Sequence, residues 1–340
     1  MSRIAIIGAG AWGTALSVVL GRQQRHSVHL WAHEEQVRQS IVETRTNSLF
    51  LPEYRIPDCV AITGDLGEAV KHAEFVVSAM PSQHCRRLFE QLSRHLQPDV
   101  FLVSATKGLE QATLLRMTEV ICAITAGRHC VGALSGPSFA AEVARGDPTA
   151  IAVASLSQEL MTAVQREFSD GSFRIYRNDD VAGVELGGGL KNIIAIAAGV
   201  CHGLGLGHNS IAALITRGLA EMTRLVVTCG GRTETMAGLA GLGDLVLTCT
   251  GELSRNRNVG VELGRGHKLP EIIAGMHGQV AEGVFTTNAA VQLARAHNVE
   301  MPITEQMHAI LNAGKAPRQA IQELMSREFK SESGPTSTDS

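Results

Sequence analysis

The chain begins with an apolar segment that leads directly into a glycine-rich turn. Residues 4–7 precede the pattern Gly8-x-Gly10-x-x-Gly13, and an apolar, helix-like segment follows at 15–20. In a strand–turn–helix unit, Gly8 allows the tight turn, Gly10 lets the backbone approach a pyrophosphate, and Gly13 permits close packing of helix on strand. The helix N-terminus offers N–H groups and positive dipole to the phosphates. The sequence therefore predicts a Rossmann-like dinucleotide-binding domain.

Short apolar runs alternate with amphipathic segments through the first half of the chain. This alternation is typical of a parallel sheet with crossover helices. The predicted strands are 4–7, 28–31, 75–79, 100–104, 131–134 and 149–154, with 173–176 as a candidate for one more.

The strand patterns stop at Asp179, which can cap a helix that begins near Val181. Successive helices are predicted at 181–204, 209–229, 233–240, 254–265, 269–276, 284–297 and 303–312. The predicted fold class is therefore α/β, with an N-terminal Rossmann-like dinucleotide-binding domain (1–180) followed by an all-helical C-terminal domain (181–330). Residues 331–340 are polar without apolar anchors, and we expect them to be disordered.

Composition excludes several classes of protein. The length of 340 residues favours two domains, and the formal net charge of −3 argues against a nucleic-acid partner. The seven cysteines are scattered singly, which indicates free thiols in a reducing compartment. No signal-peptide pattern is visible, and the most apolar run, 193–201, is too short to span a bilayer. We expect a cytoplasmic protein without a transmembrane segment.

Metal and serine-hydrolase chemistry have no motif in this sequence. The histidines and cysteines lack zinc-like spacing, and no serine elbow with suitable partners is present. We therefore expect no metal site.

The segment 185–199 is an apolar helical pattern that carries three consecutive glycines and a lysine. Each glycine inside a helix costs about 1 kcal/mol relative to alanine. Gly188 lies three residues before Lys191, so bare backbone borders the ammonium group. Such a helix suits the close approach of a ligand. Glycines that pack against another helix, with Lys191 extended to solvent, are the alternative.

Two further segments follow predicted strands and therefore lie at the carboxyl edge of the sheet, where ligands of open α/β sheets bind. Lys107 follows the strand 100–104, and the turn Gly136-Pro137-Ser138 follows 131–134. The turn can present backbone N–H groups and a hydroxyl to the same edge. A solvated lysine and an ordinary turn are the alternatives.

A third segment combines features of an anion site. Ser254 is a good N-cap for the helix 254–265, which places Arg255 and Asn256 in its first turn. Basic residues there oppose the helix dipole unless an anion binds at this end. Helix N–H groups, an arginine fork and an asparagine amide together favour a phosphate site over a solvated polar loop.

A side chain at the end of the second predicted strand should contact the ribose of the adenosine. No acidic residue occupies Trp31-Ala32-His33, although Glu34 and Glu35 follow. His33 is either a plain surface residue or faces an adenosine 2′-phosphate. We predict that NADPH is accepted at least as well as NADH; a preference for NADH would follow if a turn brought either glutamate to the ribose.

Taken together, these residues resemble the bacterial-type NAD(P)-dependent glycerol-3-phosphate dehydrogenases. The matching segments, spread in order over nearly the whole chain, are 8–14, 106–110, 135–145, 185–199, 241–251, 254–257 and 280–283. The resemblance implies reversible, NAD(P)H-dependent reduction of dihydroxyacetone phosphate to sn-glycerol 3-phosphate for glycerophospholipid synthesis. It leaves the oligomeric state open, with a homodimer among the alternatives.

The resemblance also implies roles for individual residues. Lys191 is implied as the catalytic acid/base, with Lys107 and Asp244 as its substrate-side partners. The implied substrate-binding residues are Lys107, Gly136, Ser138, Lys191, Asp244, Ser254, Arg255 and Asn256. The implied cofactor-binding residues are Gly8, Gly10, Ala11, Trp12, Gly13, His33, Lys107, Ala140, Arg255, Val280 and Glu282.

The chain departs from the family pattern at two of these segments. Ala11 replaces a common serine, which removes one hydrogen bond to phosphate, and Gly189 replaces a usual alanine. Two other functions stay open. A hydroxyacid or ketopantoate dehydrogenase would lack the phosphate site at 254–256. A non-catalytic nucleotide sensor would not need both Lys107 and Lys191.

Overall fold

A computed structural model describes residues 1–276, 280–328 and 331–332. Its strands all lie in the first 178 residues. They are β1 (Ser2–Ile7), β2 (His26–Trp31), β3 (Thr46–Asn47), β4 (Leu51–Arg55), β5 (Val60–Thr63), β6 (Phe75–Ser78), β7 (Phe101–Ser104), β8 (Val131–Ser135), β9 (Thr149–Ser155) and β10 (Phe173–Asn178).

Helices connect these strands and then form the second half of the chain. Those of the first half are α1 (Ala11–Arg22), α2 (Glu35–Thr44), α3 (Leu66–Val70), α4 (Cys85–Leu92), α5 (Met117–Thr125), α6 (Ala140–Arg145) and α7 (Gln158–Phe168). Those of the second half are α8 (Val181–Gly203), α9 (His208–Thr228), α10 (Thr233–Met236), α11 (Asp244–Thr250), α12 (Arg255–Gly264), α13 (Leu269–Ala274), α14 (Glu282–Ala296), α15 (Pro302–Ala313) and α16 (Pro317–Met325).

Eight of the strands form one sheet in the order β10-β9-β8-β7-β6-β1-β2-β5. The arrangement confirms the predicted α/β fold with a Rossmann-like first half and a helical second half. Both faces of the sheet are buried, one under α1 and α7 and the other under α4 and α5. β1 is an interior strand that lies between β6 and β2, so the glycine turn after it lies within the carboxyl edge of the sheet.

The sheet is not wholly parallel, which corrects one prediction. β8 and β9 pair antiparallel, whereas the other paired strands of the sheet run parallel. The connection from β8 to β9 contains only the six-residue helix α6 and short loops. The reversal brings the end of β8 and the beginning of β9 to the same edge.

Helix α8 is the core element of the second half. Its apolar side chains contact α9, α12 and α14 in one continuous cluster. By length and composition α8 could cross a membrane, but its most apolar window is 100% buried inside the protein. The apolar character of α8 is therefore explained by burial against the neighbouring helices.

Several predicted boundaries were wrong in detail. The cap of α8 is Asp180, which accepts the Gly183 N–H at 2.8 Å, whereas Asp179 pairs with Arg232. The predicted helix 233–240 is interrupted after Met236, and a π-helical turn over Leu239–Gly243 leads into α11. Three strands and two helices were missed, namely β3, β4, β5, α11 and α16. The prediction for 331–340 lies, apart from 331–332, outside the described residues, and the domain division at 180 stays a prediction.

Candidate active site

The glycine turn after β1 has the form of a nucleotide cradle. Gly8 has a φ of +117°, and a Cβ on it would lie 2.7 Å from the Ala79 carbonyl oxygen. A Cβ on Gly13 would overlap the Gly8 carbonyl, so α1 packs directly on the turn. The position of a Cβ on Gly10 is open, with no atom within 4 Å. Gly8 and Gly13, which have no space for a side chain, determine the shape of the turn. The space at Gly10 leaves room for a ligand at the start of α1.

Two lysines and one aspartate meet where the helical half packs against the carboxyl edge of the sheet. Nζ of Lys191, on α8, lies 2.5 Å from Oδ1 of Asp244, at the start of α11. Nζ of Lys107, in the loop after β7, lies 2.6 Å from Oδ2 of the same carboxylate. The exposed fractions of Lys191 and Asp244 are 6% and 1%. Lys191 is therefore not extended to solvent, which was the alternative left open by its sequence.

This environment changes the acidity of Lys191. Burial and the positive charge of Lys107 lower its pKa to about 8, although Asp244 opposes the shift. Thr248, one turn after Asp244 on α11, accepts a hydrogen bond from Lys191 Nζ at 2.6 Å and donates to the Asp244 carbonyl at 2.6 Å. The ammonium is thus held by two oxygens on the same helix face and can lose its proton near neutral pH.

Lys107 also connects the cluster to the turn after β8. Its Nζ donates to the Gly136 carbonyl at 3.3 Å, and the Ser138 hydroxyl donates to the same carbonyl at 3.0 Å. Gly136 has a φ of +146° and packs against Ile151 of β9, so a side chain there would be strained. The turn is therefore fixed in place beside the two lysines.

The first turn of α12 forms another side of the site. The Ser254 hydroxyl accepts the Arg257 N–H at 3.2 Å and caps the helix, as predicted. Asn256 is buried and donates to the Asn192 side-chain oxygen at 3.0 Å, while its own oxygen accepts the Gly283 N–H at 2.9 Å. Asn256 thus joins α8, α12 and α14, whereas Arg255 is exposed at the cleft.

Comparison with known proteins agrees with this geometry. Two family models match, one described as the NAD-dependent glycerol-3-phosphate dehydrogenase N-terminus over residues 3–161 and one as its C-terminus over residues 180–322. The chain belongs to the NAD-dependent glycerol-3-phosphate dehydrogenase family.

Individual relatives cover almost the whole chain. A protein of Koribacter versatilis named glycerol-3-phosphate dehydrogenase [NAD(P)+] is 65% identical over 96% of this chain and 98% of its own length. A protein of the same name from Acidobacterium capsulatum is 55% identical over 98% of this chain and 100% of its own. The crystal structure of glycerol-3-phosphate dehydrogenase from Coxiella burnetii has a TM-score of 0.92 at 41% identity, and covers 96% of this chain and 99% of the other.

In this glycerol-3-phosphate dehydrogenase family member, the predicted cofactor residues are found at helix starts and in loops of both halves of the chain. Ala11 and Trp12 begin α1, and Ala140 begins α6. His33 is exposed after β2, where its ring lies 5.6 Å from that of Trp31. Val280 directly precedes the turn into α14.

Glu282, the first residue of α14, links the two halves of the chain. It accepts a hydrogen bond from the Ser82 hydroxyl at 2.9 Å and lies near Arg255. Burial raises the pKa of Glu282 to about 7, against the opposing effects of Ser82 and Arg255. The carboxyl group can therefore gain or lose a proton near neutral pH.

The three glycines of α8 pack against a π-helical turn, the end of β8 and the loop after β7, so the alternative of packing against another helix is only partly right. A Cβ on Gly187 would lie 2.8 Å from the Ala240 carbonyl oxygen, one on Gly188 would overlap Ser135 Oγ, and one on Gly189 would lie 3.4 Å from Gly108. The bare backbone lets the loops that carry Lys107 and Asp244 approach the helix. The glycines therefore bring these two residues to Lys191.

Thr248 and Ser82 were missed in the sequence, and Asn192 was assigned no role. Thr248 lies four residues after Asp244, and this helical spacing was the available signal. Asn192 adjoins Lys191, whereas Ser82 carried no signal because its partner is 200 residues away. Among the described residues, no group of three or more His, Cys, Asp or Glu side chains could hold a metal ion.

Proposed function

We propose that this protein reduces dihydroxyacetone phosphate reversibly to sn-glycerol 3-phosphate with NADPH or NADH, and so supplies glycerophospholipid synthesis. The observation that carries the proposal is the Lys191–Asp244–Lys107 cluster between the sheet edge and the helices, in which Lys191 and Asp244 are buried and Lys107 is partly exposed. The names of the relatives support the same reaction.

The cleft fits a nicotinamide dinucleotide. The open position at Gly10 and the N-terminus of α1 suit the pyrophosphate, because backbone N–H groups and the helix dipole point there. When bound, the reduced cofactor supplies the hydride for the ketone carbon. No acidic side chain lies on β2 or directly at its end, so the adenosine end admits either form of the cofactor.

Lys191 is the proposed proton donor. Negative charge develops on the ketone oxygen as the carbon is reduced, and a proton must reach that oxygen. A lysine with a pKa of about 8 is largely protonated at neutral pH, yet it gives up its proton more readily than an ordinary lysine. Asp244 and Thr248 hold the ammonium in place, and Lys107 adds a second positive charge beside the same oxygen.

The phosphate of the substrate is proposed to bind at the first turn of α12. Arg255 lies exposed at the cleft and supplies a guanidinium fork. The side chains of Ser254 and Asn256 already form hydrogen bonds within the protein, Ser254 with the Arg257 N–H and Asn256 with Asn192. Asn256 still has one side-chain N–H that is free to bind a ligand. Of the proposed substrate residues in this turn, Arg255 therefore supplies most of the phosphate contact.

The test is oxidation of NADPH and NADH with dihydroxyacetone phosphate and, as the matched control, with unphosphorylated dihydroxyacetone. We expect kcat/KM to be at least about a hundredfold higher for the phosphorylated ketone, because a remote phosphate positions the reacting carbon. Equal rates with the two ketones, or turnover of neither, would contradict the proposal.

The proposal includes a cytoplasmic location and a small-molecule substrate. Self-association as a homodimer is also proposed, since Leu242 and Val246 expose apolar side chains one turn apart and Leu253 exposes another nearby in the chain. Light scattering coupled to size-exclusion chromatography measures the mass directly. A monomer mass at micromolar concentration would contradict the homodimer and leave the proposed reaction intact.

A further inference from the structure

The ends of β2 and β5, at the proposed adenosine end of the cofactor, are held together by hydrogen bonds. The Ala32 N–H donates to the Thr63 carbonyl at 2.9 Å, and Trp31 Nε1 donates to the Gly64 carbonyl at 2.9 Å. These bonds hold the loops after the two strands side by side. In a Rossmann domain this edge faces the ribose of the adenosine.

Arg38 lies over this edge. It is the fourth residue of α2, and its backbone N–H donates to the Glu34 carbonyl at 3.1 Å. Its guanidinium covers Gly64 so closely that a Cβ on that glycine would overlap Nη1 and lie 2.9 Å from Cζ. The side chain of Arg38 is 29% exposed. The absence of a side chain at Gly64 is therefore what lets the Arg38 guanidinium pack against the loop after β5.

The partner of Arg38 is a carboxylate that could be exchanged for another anion. Nη2 of Arg38 forms an ion pair with Glu35, which is itself 59% exposed. Exposed ion pairs contribute little to stability, so a stronger anion can replace Glu35 at small cost. A phosphate dianion is such an anion, because a guanidinium binds two of its oxygens at once.

We propose that Arg38 is the residue that binds the adenosine 2′-phosphate, and that Glu35 is its partner when that phosphate is absent. His33, exposed at the same strand end and packed on Trp31, is the second cation when protonated. Arg38 carries its charge at every pH of interest, whereas a histidine does not. Arg38 therefore determines the choice between the two cofactors.

This inference rests on the proposed function only in that a nicotinamide dinucleotide binds at the glycine turn. Its test uses two adenine nucleotides that differ in the 2′-phosphate alone, adenosine 2′,5′-bisphosphate and adenosine 5′-monophosphate. Isothermal titration calorimetry gives their Kd values without any ketone, so failure of the proposed reaction and failure of the 2′-phosphate site are distinguished.

We expect the wild-type chain to bind the bisphosphate at least about tenfold more tightly than the monophosphate. In Arg38→Gln that ratio should fall to within about threefold, while the Kd of the monophosphate stays unchanged. Glu35→Gln should increase the ratio, because the guanidinium no longer has to release a carboxylate. Arg55→Gln is the matched control, since Arg55 is an exposed arginine of the same domain, paired with Asp58.

Three outcomes would overturn the inference. The first is a wild-type chain that binds both nucleotides equally, and the second is an Arg38→Gln variant that keeps the tenfold ratio. The third is an Arg55→Gln variant in which the ratio of the two Kd values falls as much as in Arg38→Gln, which would indicate a general effect of positive charge. The ratio of kcat/KM for NADPH and NADH should follow the same order across these variants.

Discussion

The Ser82 hydroxyl donates a hydrogen bond of 2.9 Å to the Glu282 carboxylate and so joins the loop after β6 to the first turn of α14. Glu282 is one of the proposed cofactor-binding residues, and its carboxyl group lies near Arg255, which is another. The cofactor is itself an anion, so it would add negative charge beside this carboxyl group. Protonation of Glu282 should therefore affect cofactor affinity.

The first prediction is that cofactor affinity falls as the pH rises through 7. Burial raises the pKa of Glu282 to about 7, so the group is mostly neutral below that pH and charged above it. A charged carboxylate disfavours an anionic cofactor beside it and also neutralises Arg255. We expect the Kd of NADPH to increase several-fold between pH 6 and pH 8.

Glu282→Gln is the variant that checks this cause, because it keeps the shape and removes the titration. Its Kd for NADPH, measured by nucleotide fluorescence, should be nearly constant over the same range. A wild-type Kd that does not change with pH would contradict the prediction. The free energy of unfolding gives a second readout: a carboxyl group with a raised pKa destabilises the fold as the pH rises above its unfolded value of about 4.5.

The second prediction concerns Lys191. Lys191→Ala should lower kcat by about a hundredfold or more with the fold intact, since it removes the proposed proton donor. Circular dichroism and the Kd of NADPH report on the fold and on the cofactor site. Turnover near the wild-type value would show that another group donates the proton.

The third prediction uses Asp244 to move the pH profile of reduction. Only protonated Lys191 can donate, so kcat for reduction should fall as the pH rises through its pKa of about 8. Asp244 raises that pKa, and without its charge Lys107 and burial lower it further. In Asp244→Asn the fall should move about one pH unit or more toward acid. Thr248→Val, which removes only a hydrogen bond, should shift the profile less; equal shifts would mean that the charge of Asp244 is not the cause.

The features that could be predicted from the sequence are those that depend on a local pattern of neighbouring residues. The glycine turn has its own spacing, the central strands are continuous apolar runs, and a lysine in an apolar helix is conspicuous. The edge strand β5 was missed because its sequence, Val-Ala-Ile-Thr, is only four residues long. The strands β3 and β4 were missed because they are short and contain polar, charged or proline residues.

The missed features depend on contacts between distant segments. Strand direction is not encoded in an apolar run, so the antiparallel pairing of β9 with β8 was invisible. The bond from Ser82 to Glu282 joins residues 200 positions apart. Both acidic residues 179 and 180 could cap α8. Asp180 is the cap, and Arg232 contacts both carboxylates, with its backbone N–H on Asp180 and its side chain on Asp179. Strand direction, long-range hydrogen bonds and the identity of this cap all depend on tertiary contacts.

The fourth prediction tests the phosphate site. Arg255→Ala should lower kcat/KM for dihydroxyacetone phosphate by at least about tenfold, because a charge-assisted contact to phosphate is lost. The rate with unphosphorylated dihydroxyacetone should change much less. Arg265→Ala is the matched control, since Arg265 directly follows α12 and pairs with Glu262 at the surface. If kcat/KM for the phosphorylated ketone stays within about threefold of wild type, the phosphate binds elsewhere.

The last prediction separates two neighbouring glycines of α8. A Cβ on Gly189 would lie 3.4 Å from the nearest atoms of Gly108, which is a tolerable contact. Alanine is also the better helix former, so Gly189→Ala should raise the free energy of unfolding by up to about 1 kcal/mol. A Cβ on Gly188 would overlap the Ser135 hydroxyl oxygen, which is buried and without a hydrogen-bond partner among the described residues.

Gly188→Ala should therefore lower the free energy of unfolding, because overpacking outweighs the gain in helix propensity. Urea denaturation of the two variants measures both values in one experiment. The same substitution is made one residue apart in the same buried helix, so the gain in helix propensity is the same for both variants. Only the contact of the new Cβ differs, with Ser135 at position 188 and with Gly108 at position 189. Stabilisation by both substitutions would mean that the loop carrying Ser135 can retreat from α8, and that the glycines are not required to bring the site together.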